Sequence, residues 1–329
     1  MTKNLSQVSW DDFHKLSHAQ KVPYLIEGFR PMHVLFAQQF DRKQLDSLGS
    51  LATQVRFIAK SEEGMAFLRG LLAHKRAMLY FSQPSTRTFL SFYSACEILG
   101  FGIGEVRDTA TSSEFKGESR EDSVRTFSSY FDLIVMRSEI GGLAERVAWV
   151  LSNTDRPVPI INAGSGKDQH PTQALLDIYT LQRSFEERDG IDGKTIVFVG
   201  DLARGRTVRS LSSLLTRYNN VKQYFVAPRQ LQIGDDVLAM LKAAGVQYEI
   251  SDDFEKVIPV ADAVYMTRVQ DEWDTQKGES GKIDTSKYWF TVRHLDVLKP
   301  DAVIMHPFPR RNEIATEVDR DHVLFIGAR

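Results

Sequence analysis

Cysteine is almost absent from this chain: Cys96 is the only one in 329 residues. A single thiol excludes an internal disulfide framework and any cysteine-rich zinc site. No apolar run reaches about 18 residues, so no stretch reads as a membrane span. The opening segment, MTKNLSQVSWDDFHK, lacks the apolar centre of a secretory signal, which makes the cytoplasm the expected location. Neither charge is in surplus. Lys and Arg number 41 against 43 Asp and Glu, a net charge of −2, whereas a protein that tracks nucleic-acid phosphates usually has a basic excess. Repeats of about 20–50 residues and low-complexity segments are missing as well. What is present is a globular composition, 42% hydrophobic and 26% charged, with length for about two domains at roughly 100–200 residues each.

Seven short segments have the character of strands: AMLYF (77–81), DLIVM (132–136), VPIIN (158–162), TIVFVG (195–200), QYFVA (223–227), DAVYM (262–266) and AVIMH (302–306). The last four are mostly continuous apolar runs, the pattern of parallel strands buried on both faces. Amphipathic helical stretches such as TVRSLSSLLTRY and DVLAMLKAAG lie between them, and this alternation predicts an α/β fold. Near the N-terminus, Ser9 can cap a helix whose Trp10, Phe13 and Leu16 share one face and which Pro23 stops. The stretch from Pro171 to Gln182, followed by the charged SFEERDGIDGK, is the expected domain boundary.

Several turns hold polar groups where chemistry could occur. In FSQPSTRTFLSF (81–92) a strand gives way to a helix, placing Ser85, Thr86, Arg87 and Thr88 at the helix entrance. Hydroxyls, a guanidinium and unpaired backbone N–H groups together suit a phosphate or other oxyanion. In NAGSGKDQHPTQ (162–173) a glycine-rich loop leads to a helix that Pro171 can open, with His170 at the entrance and Gln173 facing the same opening. GDLARGRT (200–207) has the spacing of a nucleotide-phosphate loop, yet Arg206 stands where such a loop needs lysine. A guanidinium fork suits a carboxylate better, so nucleotide hydrolysis is disfavoured. Arg268 and Gln270 follow the strand DAVYM, and HPFPR (306–310) follows AVIMH. Both lie at strand C-termini, where open α/β sheets collect ligands. TSSEFKGES (111–119) is a polar loop containing Lys116.

Taken together, STRT (85–88), SSEFKGES (112–119), VMR (135–137), HPTQALLD (170–177), GDLARGRTV (200–208), YMTRVQ (265–270) and HPFPR (306–310) closely resemble the carbamoyltransferase family, and within it the members that use aspartate. The resemblance implies two domains, each a mostly parallel sheet flanked by helices, joined by an interdomain helix. Residues 1–168 would comprise an N-terminal extension and a carbamoyl-phosphate domain, 169–182 the linking helix, and 183–329 an aspartate domain. It implies transfer of the carbamoyl group of carbamoyl phosphate to the amine of L-aspartate, with no metal or cofactor. Ser85, Thr86, Arg87 and Thr88 would form the phosphate loop. Arg137, His170 and Gln173 would hold the carbamoyl group, and main-chain groups of Phe308 and Pro309 its amino group. Arg206 and Arg268 would clamp the aspartate carboxylates, with Gln270 nearby. In the family the SSEFKGES loop comes from a neighbouring subunit, so Ser112 and Lys116 would complete another chain's site in a homotrimer. Arg87, Thr88, His170 and Lys116 would act in catalysis, Lys116 neutralising both the phosphate and a substrate carboxylate.

Departures from the family pattern bear on the site. STRTR is usual, and here Phe89 takes its last position; HPLPR becomes HPFPR; the lysine commonly found before Lys116 is Phe115. The resemblance also implies that the chain stops about one helix short of the family norm and begins with an added prefix. The prefix, with Trp10, Phe13, Leu16, Tyr24, Leu25 and Ile26, is expected to cover the apolar surface that the missing helix would occupy. An ornithine-using enzyme is the closest rival, but that branch has cysteine in place of the first proline of HPFPR, here Pro307. A catalytically silent binding subunit is the other rival, and it should have lost Arg87, Lys116, His170 or Arg268.

Overall fold

The apolar runs become the strands of two parallel sheets. The computed structural model describes residues 3–27, 30–107, 117–166, 169–271, 274, 280–320 and 324–326. It divides into a first unit, Met1–Thr172, and a second, Gln173–Arg329.

In the first unit, α1 (Trp10–Lys15) and α2 (His18–Lys21) precede a small antiparallel pair, β1 (Ile26–Glu27) and β2 (Arg30–Pro31). Helices α3 (Arg42–Ile58) and α4 (Glu62–Leu71) lead into a four-stranded parallel sheet. Its strands are β3 (Arg76–Phe81), β4 (Gly102–Val106), β5 (Leu133–Ser138) and β6 (Ile160–Ser165), in the spatial order β4-β3-β5-β6. The crossovers contain α5 (Thr86–Leu99), α6 (Arg120–Ser128) and α7 (Leu143–Ser152). From β3 the chain moves outward to β4, then returns past β3 to β5. The strand order therefore reverses between β3 and β5, and such a switch point is where open α/β sheets bind ligands.

The second unit takes most of α8 (Pro171–Ser184) and a six-stranded parallel sheet. Its strands are β7 (Thr195–Val199), β8 (Lys222–Val226), β9 (Gln247–Ser251), β10 (Ala263–Met266), β11 (Val303–His306) and β12 (Leu324–Ile326). They lie in the order β12-β11-β10-β7-β8-β9, with α9 (Arg206–Leu215), α10 (Asp235–Ala243) and α11 (Phe254–Val257) in the connections. The reversal here falls between β7 and β10.

All seven expected strands are present, and β10 and β11 are buried along their whole length, as continuous apolar runs require. Besides the short β1–β2 pair, β4, β9 and β12 were not expected from the sequence. All three are edge strands. GIGEV has two glycines and QYEIS alternates polar residues on an outer face, so neither shows the run that marks a strand covered on both sides.

The expected first helix is broken in two. The Ser9 hydroxyl does cap α1, accepting from Asp12 N at 3.2 Å, but Leu16 turns extended and Ser17 starts α2 with a reciprocal Ser17–Gln20 capping box. Phe13 is fully buried in a core with Leu5, Leu25, Leu35 and Phe36, Val124 of α6, and Val147 and Leu151 of α7. Trp149 Nε1 donates to Val8 O at 2.9 Å, and buried Lys21 pairs with Glu145 at 2.5 Å. Arg146 lies 4.8 Å from the Trp10 ring centre and 5.2 Å from that of Trp149. The prefix is thus part of the first unit's core. Among the described residues no helix is long and apolar enough to cross a membrane.

Candidate active site

In the first unit, Ser85 is the N-cap residue of α5, yet its hydroxyl makes no capping bond to the helix it begins. The N–H groups of the first turn of a helix have no intrahelical partner, so they and the polar side chains of Ser85, Thr86, Arg87 and Thr88 form the anion-receptive end of α5. The neighbouring strand fastens this loop: Gln83 N and Ser82 Oγ both donate to Arg137 O at 3.3 Å, just beyond the pairing of Phe81 with Arg137.

Arg137 is 8% exposed. Its Nη1 donates to Ala163 O at 3.0 Å and stands 3.4 Å from His170 Nε2. A guanidinium can only donate, so Nε2 is the accepting nitrogen at this contact. The ring proton then belongs on Nδ1, which lies 3.5 Å from Thr172 Oγ1. The register of β5 with β6 slips between Met136 and Ser138; such irregularities re-aim a side chain, here Arg137.

Close approach of the backbone makes this arrangement possible. Gly164 has φ +117°, and a Cβ there would lie 2.8 Å from Arg137 Nη1 and 3.3 Å from His170 Cδ2. Asn162 pins the same turn, accepting from Gly164 N at 2.9 Å and donating to Leu35 O at 2.9 Å and Ser165 Oγ at 3.0 Å. Beside the α5 entrance is a cavity of about 240 Å³ lined by Phe81, Pro84, Ser85, Thr86, Phe89 and Arg107. That is smaller than the roughly 300–1,000 Å³ of pockets for drug-sized ligands.

In the second unit the strand reversal is held by Asp201, which is fully buried. Its carboxylate accepts from Arg204 N at 3.1 Å and from Gln270 N at 3.0 Å. One side chain thereby ties the loop before Arg206, the first residue of α9, to the loop that contains Arg268 and Gln270. Arg204 Nη1 reinforces the tie through Gln270 O at 3.3 Å and Asp274 at 2.7 Å. Half-buried Arg268 donates to Val269 O at 2.8 Å and lies 3.6 Å from Asp271, itself paired with Arg311.

After β11, His306 Nδ1 accepts from Phe308 N at 2.7 Å, and His306 Nε2 faces Glu313 Oε1 at 2.8 Å. This brace holds Phe308 at φ +57°, a conformation a bulky residue seldom adopts unaided. Burial lowers the His306 pKa, with Glu313 opposing; burial works to raise that of Glu313, but hydrogen bonds from His306 and Arg311 N outweigh it. On α8, Gln173 Nε2 donates to Asp177 Oδ1 at 2.9 Å, which fixes which way its amide points.

Of the site residues expected from sequence, the first unit brings Arg137 and His170 into contact and sets Ser85–Thr88 at the start of α5, after the adjoining strand. The second gathers Arg206, Arg268 and Gln270 at one strand reversal, with Phe308 and Pro309 after the neighbouring strand. Ser112 and Lys116 lie outside the described residues. Asp177, Asp201 and Gly164 were passed over, although the two aspartates left a signal. Asp201 is a charged residue two positions after the apolar strand TIVFV, and Asp177 closes the motif HPTQALLD.

Two family models match the chain: the carbamoyl-phosphate-binding domain of aspartate/ornithine carbamoyltransferases over residues 32–183, and the aspartate/ornithine-binding domain over residues 192–326. The chloroplastic aspartate carbamoyltransferase of Arabidopsis thaliana is 41% identical over 300 residues, covering 90% of this chain and 73% of that protein. An aspartate carbamoyltransferase catalytic subunit of Vibrio cholerae is 40% identical, with 88% of each chain covered. Among solved structures, aspartate transcarbamoylase of Trypanosoma cruzi in complex with carbamoyl aspartate and phosphate superposes with a TM-score of 0.79 at 32% identity, over 89% of both chains.

Proposed function

The chain belongs to the aspartate/ornithine carbamoyltransferase family, and we propose a division of labour among its site residues. The reaction is transfer of the carbamoyl group of carbamoyl phosphate to the amine of L-aspartate, giving N-carbamoyl-L-aspartate and phosphate. The observation that supports the assignment most directly is the Arg137–His170 contact at the strand end beside the α5 entrance. Ser85, Thr86, Arg87 and Thr88 hold the phosphate, with Arg137 close to it. Arg87, Thr88 and His170 polarise the carbamoyl carbonyl. Attack by the amine makes a tetrahedral oxyanion, and positive groups positioned beforehand lower the barrier because charge develops there. Phosphate leaves with the electrons of the broken C–O bond, and the proton of the amine passes to it. No protein nucleophile is required; alignment of two anions supplies much of the rate.

Gln173 and the main-chain groups of Phe308 and Pro309 bind the carbamoyl group. Arg206 and Arg268, with Gln270, bind the acceptor, and two guanidinium forks select a dicarboxylate over a substrate with a cationic side chain. The test is product formation with aspartate, ornithine or buffer as acceptor in chelator-treated protein. Carbamoyl aspartate is expected, and turnover of ornithine but not aspartate would sink the reading.

The assembly we infer is a homotrimer in which Ser112 and Lys116 serve a neighbouring chain's site. Its support is the likeness of SSEFKGES to the family's intersubunit loop. Lys116→Ala and Arg268→Ala trimers should each be nearly inactive, and mixing dissociated chains should restore some turnover. Verified mixed trimers without activity would contradict sharing.

A further inference from the structure

An arginine ends the family's phosphate-loop motif, and in this chain Phe89 stands in its place. Phe89 is 3% exposed and packs edge-on against Phe81, with ring centres 5.5 Å apart. A charged residue could not take that position in the core without rearrangement. A guanidinium is nevertheless present nearby, from another element. Arg107 directly follows β4, whose Val106 pairs with Tyr80 of β3, and its Cζ lies 4.2 Å from the Phe89 ring centre. The same side chain lines the cavity shared with Ser85 and Thr86.

We propose that Arg107 is a further binding residue for the phosphate group of carbamoyl phosphate, supplying from the end of β4 a positive charge that the family motif places on α5. This rests on the reading of the first unit as the carbamoyl-phosphate site. The physical case has three parts. Stacking on an aromatic face holds a guanidinium by cation–π attraction while leaving its N–H groups at the rim, directed outward in the plane. An aromatic partner does not neutralise the charge, as a carboxylate would. Orientation before the ligand arrives also reduces the entropy lost on binding. Phe89 and Arg107 thus act as one unit, the ring as platform and the guanidinium as ligand.

The experiment compares Arg107→Met and Arg107→Lys with Arg87→Ala in the full-length protein. It measures half-saturation for both substrates, inhibition by inorganic phosphate, and melting temperature. A hydrogen bond to a charged group contributes about 1.5–3 kcal/mol, so Arg107→Met should weaken carbamoyl phosphate and inorganic phosphate by roughly 10- to 150-fold. Aspartate half-saturation and melting temperature should stay near wild type, and Arg107→Lys should recover part of the loss. Unchanged phosphate affinity in Arg107→Met, while Arg87→Ala abolishes turnover, would overturn the proposal and leave the wider reading intact. Equal losses for both substrates with a lowered melting temperature would also overturn it, since they mark a packing role on Phe89. Failure of wild-type protein to bind either carbamoyl phosphate or inorganic phosphate would instead refute the underlying site.

Discussion

Tyr265 Oη donates to Asp177 Oδ2 at 2.8 Å, and both residues are shut away from water. Gln173 donates to the other oxygen of the same carboxyl. Burial raises the Asp177 pKa to about 7, against the lowering effect of the hydrogen bonds from Tyr265 and Gln173.

The sign of the pH effect follows. An unfolded Asp titrates near 3.9, so between there and about 7 the folded protein holds a proton that the unfolded chain has lost. Stability must fall as pH rises through that window. Asp177→Asn, of the same shape but uncharged, should therefore gain on wild type between about pH 5 and about pH 8. At about 1.4 kcal/mol per unit the relative gain is roughly 3 kcal/mol. Urea denaturation at both pH values measures it, and a constant difference would refute the assignment.

Asp201→Asn should damage use of aspartate more than use of carbamoyl phosphate. The variant leaves one of the N–H groups of Arg204 and Gln270 facing an amide NH₂ instead of a carboxylate oxygen. An unsatisfied buried donor costs about 1–3 kcal/mol, or roughly 5- to 150-fold in kcat/KM for aspartate. Steady-state kinetics with each substrate varied in turn is the measurement.

Gly164→Ala should impair the other substrate. The added methyl would press on Arg137 Nη1, at a backbone angle that L side chains seldom adopt. Left-handed backbone alone costs about 1–2 kcal/mol, and a displaced Arg137 should raise half-saturation for carbamoyl phosphate about tenfold or more, since a lost charge-assisted bond is worth that much. Aspartate half-saturation and melting temperature, taken together, separate this local effect from general unfolding.

Phe13→Ala should destabilise the first unit by about 3–5 kcal/mol, the usual cost of emptying a buried aromatic site. Deleting residues 1–22 should do more, lowering the melting temperature and promoting aggregation as α6 and α7 lose their cover. Unchanged melting in either variant would show that the prefix contributes nothing to the core.

STRT, HPTQ and GDLARGRT announce themselves because anion binding at a strand-to-helix turn needs hydroxyls, guanidinium groups and glycines within a few consecutive residues. The residues that position them were harder to see. Asp177 and Tyr265 are 88 positions apart, and Asp201 and Gln270 are 69 apart. No local pattern links such partners. The edge strands β4 and β9 escaped notice for a related reason, since a strand covered on one side only need not be apolar throughout.

Composition and period, which are local properties, were enough to determine an α/β chain, the places where its buried strands run, and the polar turns at their ends. Apolar content and side-chain period are set within a few consecutive residues, so their signature survives in one dimension. Sheet order decided the rest. It set β5 beside β3, so that Arg137 braces the loop before α5, and β10 beside β7, so that one buried carboxylate holds two loops. It also brought the end of β4 next to α5, where Arg107 meets Phe89. Packing chooses such neighbours by shape and buried area across the whole chain, and only the folded molecule contains that information.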